Sequence, residues 1–70
     1  MVKVRAAQSQ DVDFIVQANM AMAAETEDEG LDPHILEGGI RYLLDHHNEG
    51  FYLIAERNQQ PVGTLMVTFE

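Results

Sequence analysis

The sequence predicts an α+β fold in which a three-stranded antiparallel sheet carries two helices on one face. Three observations indicate it: apolar and charged residues alternate near the start, apolar residues recur at helical spacing in two central segments, and two largely apolar segments flank a short polar turn near the end. The elements therefore follow the order strand, helix, helix, strand, strand. Because 70 residues are about half of a typical domain, we expect residues 1–70 to form a single, partial domain.

The first two elements are a strand and a helix. Over Val2–Ala6 the two cations fall on one side of an extended segment, which is typical of a strand at a sheet edge. Ser9 is a favourable N-cap, and Asp11 then lies in the first helical turn, where the helix dipole favours an anion. From residue 12 to about residue 26 the apolar residues recur at helical spacing, which predicts the first helix: Val12, Phe14, Ile15, Ala18 and Met22.

The second helix has a clear start signal, with Asp32 at the N-cap and Pro33 at the first helical position. It is predicted to run to about His47, with an apolar stripe made of Leu36, Ile40, Leu43 and Leu44. Gly38 and Gly39 lie inside it, and each costs about 1 kcal/mol relative to alanine. We therefore expect a neighbouring backbone to approach the helix closely at this pair.

A hairpin is predicted for the rest of the chain, with strands over 51–55 and 61–70 and a turn over 57–60. Both faces of both strands are largely apolar, which is typical of strands covered on both sides. Because two consecutive helices can cover only one face, we expect the other face and the outer edge of the last strand to need further chain or a second copy. The methionines Met20, Met22 and Met66 are expected to fill the core.

The composition excludes several classes of function. Twelve acidic residues stand against four Lys and Arg, a net charge of −8, whereas nucleic-acid binding needs the opposite sign. The absence of cysteine excludes disulfides, thiolate zinc sites and cysteine nucleophiles. Adjacent histidines on a helix point about 100° apart, so His34, His46 and His47 predict no metal site.

The chain is expected to lie in the cytoplasm and to have no membrane partner. No run of about 18 apolar residues predicts a transmembrane helix. The two cations near the start are followed by the polar segment 8–13 instead of the apolar core of a signal peptide.

Four segments, taken in order, resemble the N-terminal half of the GNAT family of N-acetyltransferases. They are Val-Arg-Ala-Ala at 4–7 followed by Asp11 and Ile15, Leu-Asp-Pro at 31–33, Gly-Phe-Tyr-Leu-Ile-Ala-Glu at 50–56, and Pro-Val-Gly-Thr-Leu at 61–65. The family's Q/R-x-x-G-x-G/A segment, which holds the acetyl-CoA pyrophosphate at a helix start, is not in the sequence. The resemblance implies an acyltransferase lineage with acetyl-CoA as co-substrate of the complete enzyme, and no cofactor-binding residue in this chain.

The same resemblance implies where an acceptor amine would lie, namely beside the two helices. Carboxylates of Glu25, Glu27 and Asp28 would attract a cationic amine there, although such acids are also typical of a solvated helix end. Tyr52 is a candidate for lining the cleft, or alternatively a core residue with its hydroxyl at the rim. Glu70 is a candidate general base, or alternatively a charged strand end.

Two hypotheses of different classes follow. In the first, the chain is the N-terminal portion of a GNAT-type N-acyltransferase that moves acetyl from acetyl-CoA to a primary, cationic amine, and is not catalytically competent alone. In the second, it is a small acidic non-enzymatic α+β module that self-associates through the strand at 61–70, as a dimer or another homo-oligomer.

Overall fold

The computed structural model describes residues 1–26 and 30–69, and it has the predicted order of elements. The elements are β1 (Val2–Ala6), α1 (Val12–Glu25), α2 (Pro33–Asp45), β2 (Gly50–Arg57) and β3 (Gln60–Thr68). The strands form one antiparallel sheet in the order β1-β2-β3. The predicted α+β fold class is therefore confirmed.

The two helices begin in different ways. At α2 the Asp32 carboxylate accepts a hydrogen bond from the His34 N–H at 2.8 Å, and Pro33 is the first residue, as predicted. Before α1 the chain makes a 3₁₀ turn over Ser9–Asp11, so the expectation that Ser9 caps the helix is wrong. The reason is the ion pair that Asp11 makes with β1, which holds this turn against the sheet.

The corner between β1 and α1 is held by a charged cluster. The Arg5 guanidinium donates two hydrogen bonds to Asp11, at 2.7 and 2.8 Å, and its Nε lies 3.1 Å from a Glu56 carboxylate oxygen. Asp11 also accepts the Gln8 N–H at 2.8 Å and is only 5% exposed. The Arg5 hydrogen bond, and then that of Gln8, hold the pKa of the Asp11 carboxyl below its ordinary value, while burial opposes them.

The glycine pair of α2 lies on an exposed face. A Cβ added to Gly38 or to Gly39 would meet no atom within 4 Å. The expectation of a close backbone approach at this pair is therefore wrong, because the buried face of α2 is formed by Ile40 and Leu43. Gly50, at the start of β2, is the glycine in a tight place: its φ is 156°, and a Cβ there would lie 2.5 Å from the Val67 carbonyl oxygen.

The hairpin turns at Asn58 and Gln59, whose φ angles of 53° and 66° are the positive values that a tight two-residue turn requires. The resulting register sets Tyr52 opposite Met66 and Leu53 opposite Leu65. The pairing shifts between Ala55 and Glu56, which marks a bulge. Because successive side chains of a strand point to opposite sides, Tyr52 and Leu53 face opposite sides of the sheet.

Both helices cover the sheet face that carries Tyr52 and Ile54. The core cluster in this layer consists of Val12, Ile15, Val16, Ile40, Leu43, Tyr52 and Ile54, and Ala23 of α1 is buried as well. Met20 packs against this core, but Met22 and Met66 are exposed, so the expectation that all three fill the core is wrong. The reason is that α1 contacts β3, the last strand that the structure describes, so Met22 has no further described strand to pack on.

The opposite face of the sheet carries no helix among the described residues. The exposed fraction there is 60% for Leu65 and for Val4 of β1, and 57% for Phe69. A hollow of about 340 Å³ on this face is lined by Val4, Leu53, Ala55 and Leu65 among others. The two helices thus cover one apolar face only, as the strand pattern predicts.

Candidate functional site

A cleft of about 430 Å³ runs between α1 and β3 on the helix-covered side of the sheet. Its walls include Ala18, Asn19 and Met22 from α1, Tyr52 from β2, and Thr64 and Met66 from β3. The cleft is open along the outer edge of β3, which pairs only with β2 among the described strands.

Local structure explains why these residues meet. Ala18 and Met22 are four apart and so share one face of α1, and the small Ala18 side chain leaves room beneath the helix. Thr64 and Met66 are two apart in β3 and therefore point to one side of the sheet. The hairpin register then brings Tyr52 to the same side, opposite Met66.

Tyr52 is buried, with its ring in the core and its hydroxyl at the cleft. No described residue makes a hydrogen bond with that hydroxyl. Because no fully buried side-chain nitrogen or oxygen within residues 1–26 and 30–69 lacks a partner, the hydroxyl is not fully buried, and Tyr52 lines the cleft. Burial raises the pKa of the Tyr52 hydroxyl above its ordinary value. At neutral pH it is therefore an uncharged phenol that can both donate and accept a hydrogen bond.

The other polar side chains in the cleft each donate one hydrogen bond to the backbone. The Asn19 amide nitrogen donates to the Ile15 carbonyl at 2.8 Å, and the Thr64 hydroxyl donates to the Leu53 carbonyl at 3.0 Å. Asn19 leaves its carbonyl oxygen as an acceptor and its second N–H as a donor, and Thr64 leaves the lone pairs of its hydroxyl. The cleft therefore offers neutral hydrogen-bonding groups, acceptors among them, between apolar walls.

Of the predicted site residues, the structure describes Tyr52 and Glu25. Tyr52 lines the cleft. Glu25 is the exposed last residue of α1, three residues after Met22 and so on the neighbouring part of the same helix face. Glu27, Asp28 and Glu70 lie outside the described residues.

Sequence reasoning missed Asn19, Thr64 and the two exposed methionines as wall residues. Thr64 and Met66 are two residues apart in a predicted strand, and the turn at Asn58 and Gln59 sets their register with Tyr52. A register derived from that turn would have identified them. The position of α1 over β3 has no comparable signal in the sequence.

The described part of the chain gives less support to a metal site or to a membrane-spanning helix. No group of three or more His, Asp or Glu side chains is arranged to hold a metal ion within residues 1–26 and 30–69. His46 lies in a local contact instead, with its Nδ1 2.6 Å from the Tyr42 carbonyl oxygen and its ring stacked on that of Tyr42. No helix in those ranges is long and apolar enough to cross a bilayer.

One comparison with known proteins gives a match. The crystal structure of a possible acetyltransferase from Clostridium difficile 630 superposes on this chain with a TM-score of 0.90 and 31% sequence identity. The match covers 100% of this chain and 46% of that chain, so the described fold corresponds to about half of the solved protein. No family model and no curated protein sequence matches. The chain therefore has the fold of part of a possible acetyltransferase.

Proposed function

We propose that the chain forms the acceptor side of a GNAT-type N-acetyltransferase, which moves the acetyl group of acetyl-CoA to a primary, cationic amine. The observation that carries the proposal is the superposition of the whole chain on part of a possible acetyltransferase at 31% identity. The four GNAT-like segments, in their family order, support it further.

In this reaction the residues of this chain have two tasks, which are to position the amine and to remove its proton. The neutral amine attacks the thioester carbonyl and a C–N bond forms. As the C–S bond breaks, the attacking nitrogen gives up one proton and the CoA thiolate takes up one, so that the products are the amide and the free thiol. The amine must first lose the proton that makes it an ammonium ion, and Glu70 is our candidate base for that step. Acceptors on Asn19, Thr64 and Tyr52 suit the N–H groups of an amine.

The acidic end of α1 suits the same substrate. Glu25 is exposed at the end of α1, three residues after Met22 of the cleft wall, and Glu27 and Asp28 follow it in the sequence. A group of carboxylates raises the local concentration of an approaching cation. We assign Glu25, Glu27 and Asp28 to attraction of the ammonium group and Tyr52 to the wall against which the amine lies.

The experiment is an acetyl-transfer assay on the complete protein that contains this sequence. With acetyl-CoA and a panel of primary amines, we expect amine-dependent, saturable release of the CoA thiol. The 70-residue chain alone should give no turnover and no saturable binding of acetyl-CoA. Absence of amine-dependent release from the complete protein would refute the proposal, and micromolar acetyl-CoA binding by the 70-residue chain would refute the assignment of the cofactor site to other residues.

A second candidate is a non-enzymatic module that self-associates through β3. The outer edge of β3 has no partner strand among the described residues, and the exposed side chains of Leu65 and Phe69 support association. Native mass separates the candidates: an acidic homo-oligomer of the 70-residue chain without any acetyl transfer by the complete protein favours the module.

A further inference from the structure

We infer that a pocket between the β1–α1 turn and the last turns of α2 binds a free α-amino acid with an aliphatic side chain. The pocket has a volume of about 340 Å³ and is lined by residues 7–9 on one side and by Arg41, Leu44, Asp45 and His47 on the other. That volume is at the lower end of the range for small-molecule sites, roughly 300–1,000 Å³. No described residue lines both this pocket and the cleft between α1 and β3, so the site is independent of the acetyl-transfer proposal.

Both walls of the pocket are held in place by the fold. The Ala7 N–H donates a hydrogen bond to the Tyr52 carbonyl at 2.9 Å, which ties the turn to β2. On the other side, α2 is anchored by the buried side chains of Ile40 and Leu43. The pocket is therefore formed before a ligand binds, as is usual for small-molecule sites.

Two of the lining residues give the pocket an apolar floor. Ala7 and Leu44 are partly buried and pack against the hydrophobic core, whereas the other lining residues are exposed. An aliphatic side chain placed on this floor removes apolar surface from water on both sides of the contact.

The rim of the pocket carries one cation and one anion, and α2 supplies both. The Arg41 Nε lies 3.1 Å from a Glu37 carboxylate oxygen, an ion pair that leaves the two terminal guanidinium nitrogens without a described partner. Asp45 makes no hydrogen bond or ion pair with any described residue. Because residues four apart share a helix face, the two charges flank one space.

The position of Asp45 is not explained by the stability of the helix. It is the last residue of α2, where the helix dipole favours a cation and opposes an anion. An ammonium group bound beside Asp45 compensates its charge, and a carboxylate bound beside Arg41 pairs with the free guanidinium nitrogens.

An α-amino acid carries an ammonium group, a carboxylate and a side chain on one carbon atom. These three groups match the anion, the cation and the apolar floor that surround this pocket. A simple amine or a simple carboxylic acid satisfies only one of the two charges. The Ser9 hydroxyl and the His47 ring, which have no described partner, add hydrogen-bonding groups at the rim.

The test is an NMR titration of the ¹⁵N-labelled 70-residue chain with L-leucine. We expect saturable shifts of the Ser9, Arg41 and Asp45 amide resonances, with a dissociation constant in the millimolar range because exposed ion pairs are weak. Leucinamide, which lacks the carboxylate, and 4-methylpentanoate, which lacks the ammonium group, should each bind at least about threefold more weakly. Absence of saturable shifts with L-leucine would overturn the inference.

The order of affinities separates a built site from general attraction by charge. With a net charge of −8, the chain attracts the cation leucinamide more than it attracts zwitterionic leucine, and it repels 4-methylpentanoate. Tightest binding of leucine therefore supports the inference. Tightest binding of leucinamide or of 4-methylpentanoate would overturn it.

Two variants with matched controls locate the two charges. Asp45→Asn and Arg41→Gln should each weaken leucine binding at least about threefold. Asp13→Asn removes an exposed carboxylate that does not line the pocket. Glu37→Gln breaks the same ion pair as Arg41→Gln but keeps the guanidinium. Both controls should bind leucine within about twofold of the parent.

A stability measurement shows that a loss of binding is not a loss of folding. Asp45→Asn removes an anion from the C-terminal end of α2, so it should leave the free energy of unfolding unchanged or raise it. Weaker leucine binding by a variant of undiminished stability supports the site. Parent-like leucine binding by either Asp45→Asn or Arg41→Gln, or an equal loss in the control variants, would overturn the inference.

Discussion

Asp11 shows how much one side chain contributes to this small fold. It is nearly buried, it accepts two hydrogen bonds from Arg5 and one from the Gln8 N–H, and it thereby connects β1 to the start of α1. The exposed pair of Glu37 and Arg41 on α2 is the contrasting case, because exposed i,i+4 pairs contribute only a few tenths of a kcal/mol.

We expect Asp11→Asn to lower the free energy of unfolding at pH 7 by about 1–3 kcal/mol, since it removes a nearly buried charged hydrogen-bond acceptor. Urea unfolding followed by circular dichroism measures the change. Asp13→Asn, at an exposed position of the first turn of α1, is the control and should stay within about 0.5 kcal/mol of the parent. An equal loss in both variants would mean that the ion pair is not what holds the corner.

The same carboxylate predicts a pH dependence. Its folded pKa lies below the ordinary value of 3.8, so the unfolded chain takes up the proton first as the pH falls. The stabilisation is therefore fully present above about pH 5 and is lost as the pH falls through the folded pKa. The stability difference between the parent and Asp11→Asn should shrink between pH 6 and pH 2.5 in urea unfolding, and a constant difference would contradict the assignment.

Glycines make the clearest contrast at the scale of elements, because the same residue type has opposite roles in α2 and β2. Gly38 and Gly39 occupy open, exposed helix positions, where only backbone entropy opposes the helix. Gly50 has a positive φ and its Cα faces the backbone of β3. A glycine in the sequence alone does not distinguish these situations.

We expect Gly39→Ala to raise the free energy of unfolding by about 0.5–1 kcal/mol through helix propensity. Gly50→Ala is the counterpart and should lower it, because its Cβ would collide with the Val67 carbonyl oxygen at 2.5 Å. Thermal unfolding of both variants and of the parent measures the two changes in stability. Destabilisation by Gly39→Ala would show that another backbone does approach α2 at this point.

At the scale of the whole molecule, the described residues form a sheet with one covered and one open face. The helices bury Tyr52 and Ile54 on one side, and on the other Val4, Leu65 and Phe69 face solvent. A chain of this size buries a small core, and partners commonly contribute to the stability of such chains. Within the described residues, the open face and the outer edge of β3 are two different surfaces for association.

We expect the 70-residue chain to self-associate with increasing concentration, and Leu65→Lys to weaken this by placing a charge on the open face. Thr68→Lys, in the same strand but on the opposite face, is the matched control. Sedimentation velocity over a wide concentration range measures the mass. Equal weakening by both variants would indicate association through the β3 edge, and a monomer at every concentration would contradict the prediction.

The sequence alone determined the order of the elements, most of their bounds to within about two residues, and the two-sided apolar character of the hairpin, because periodicity, capping and turn chemistry act between near neighbours in the chain. Only the tertiary structure decided that Met22 and Met66 line a cleft, that Asn19 and Thr64 join Tyr52 there, and that Gly38 and Gly39 face solvent. These outcomes depend on how α1 and α2 lie across the sheet, and that placement is set by packing between residues far apart in the chain.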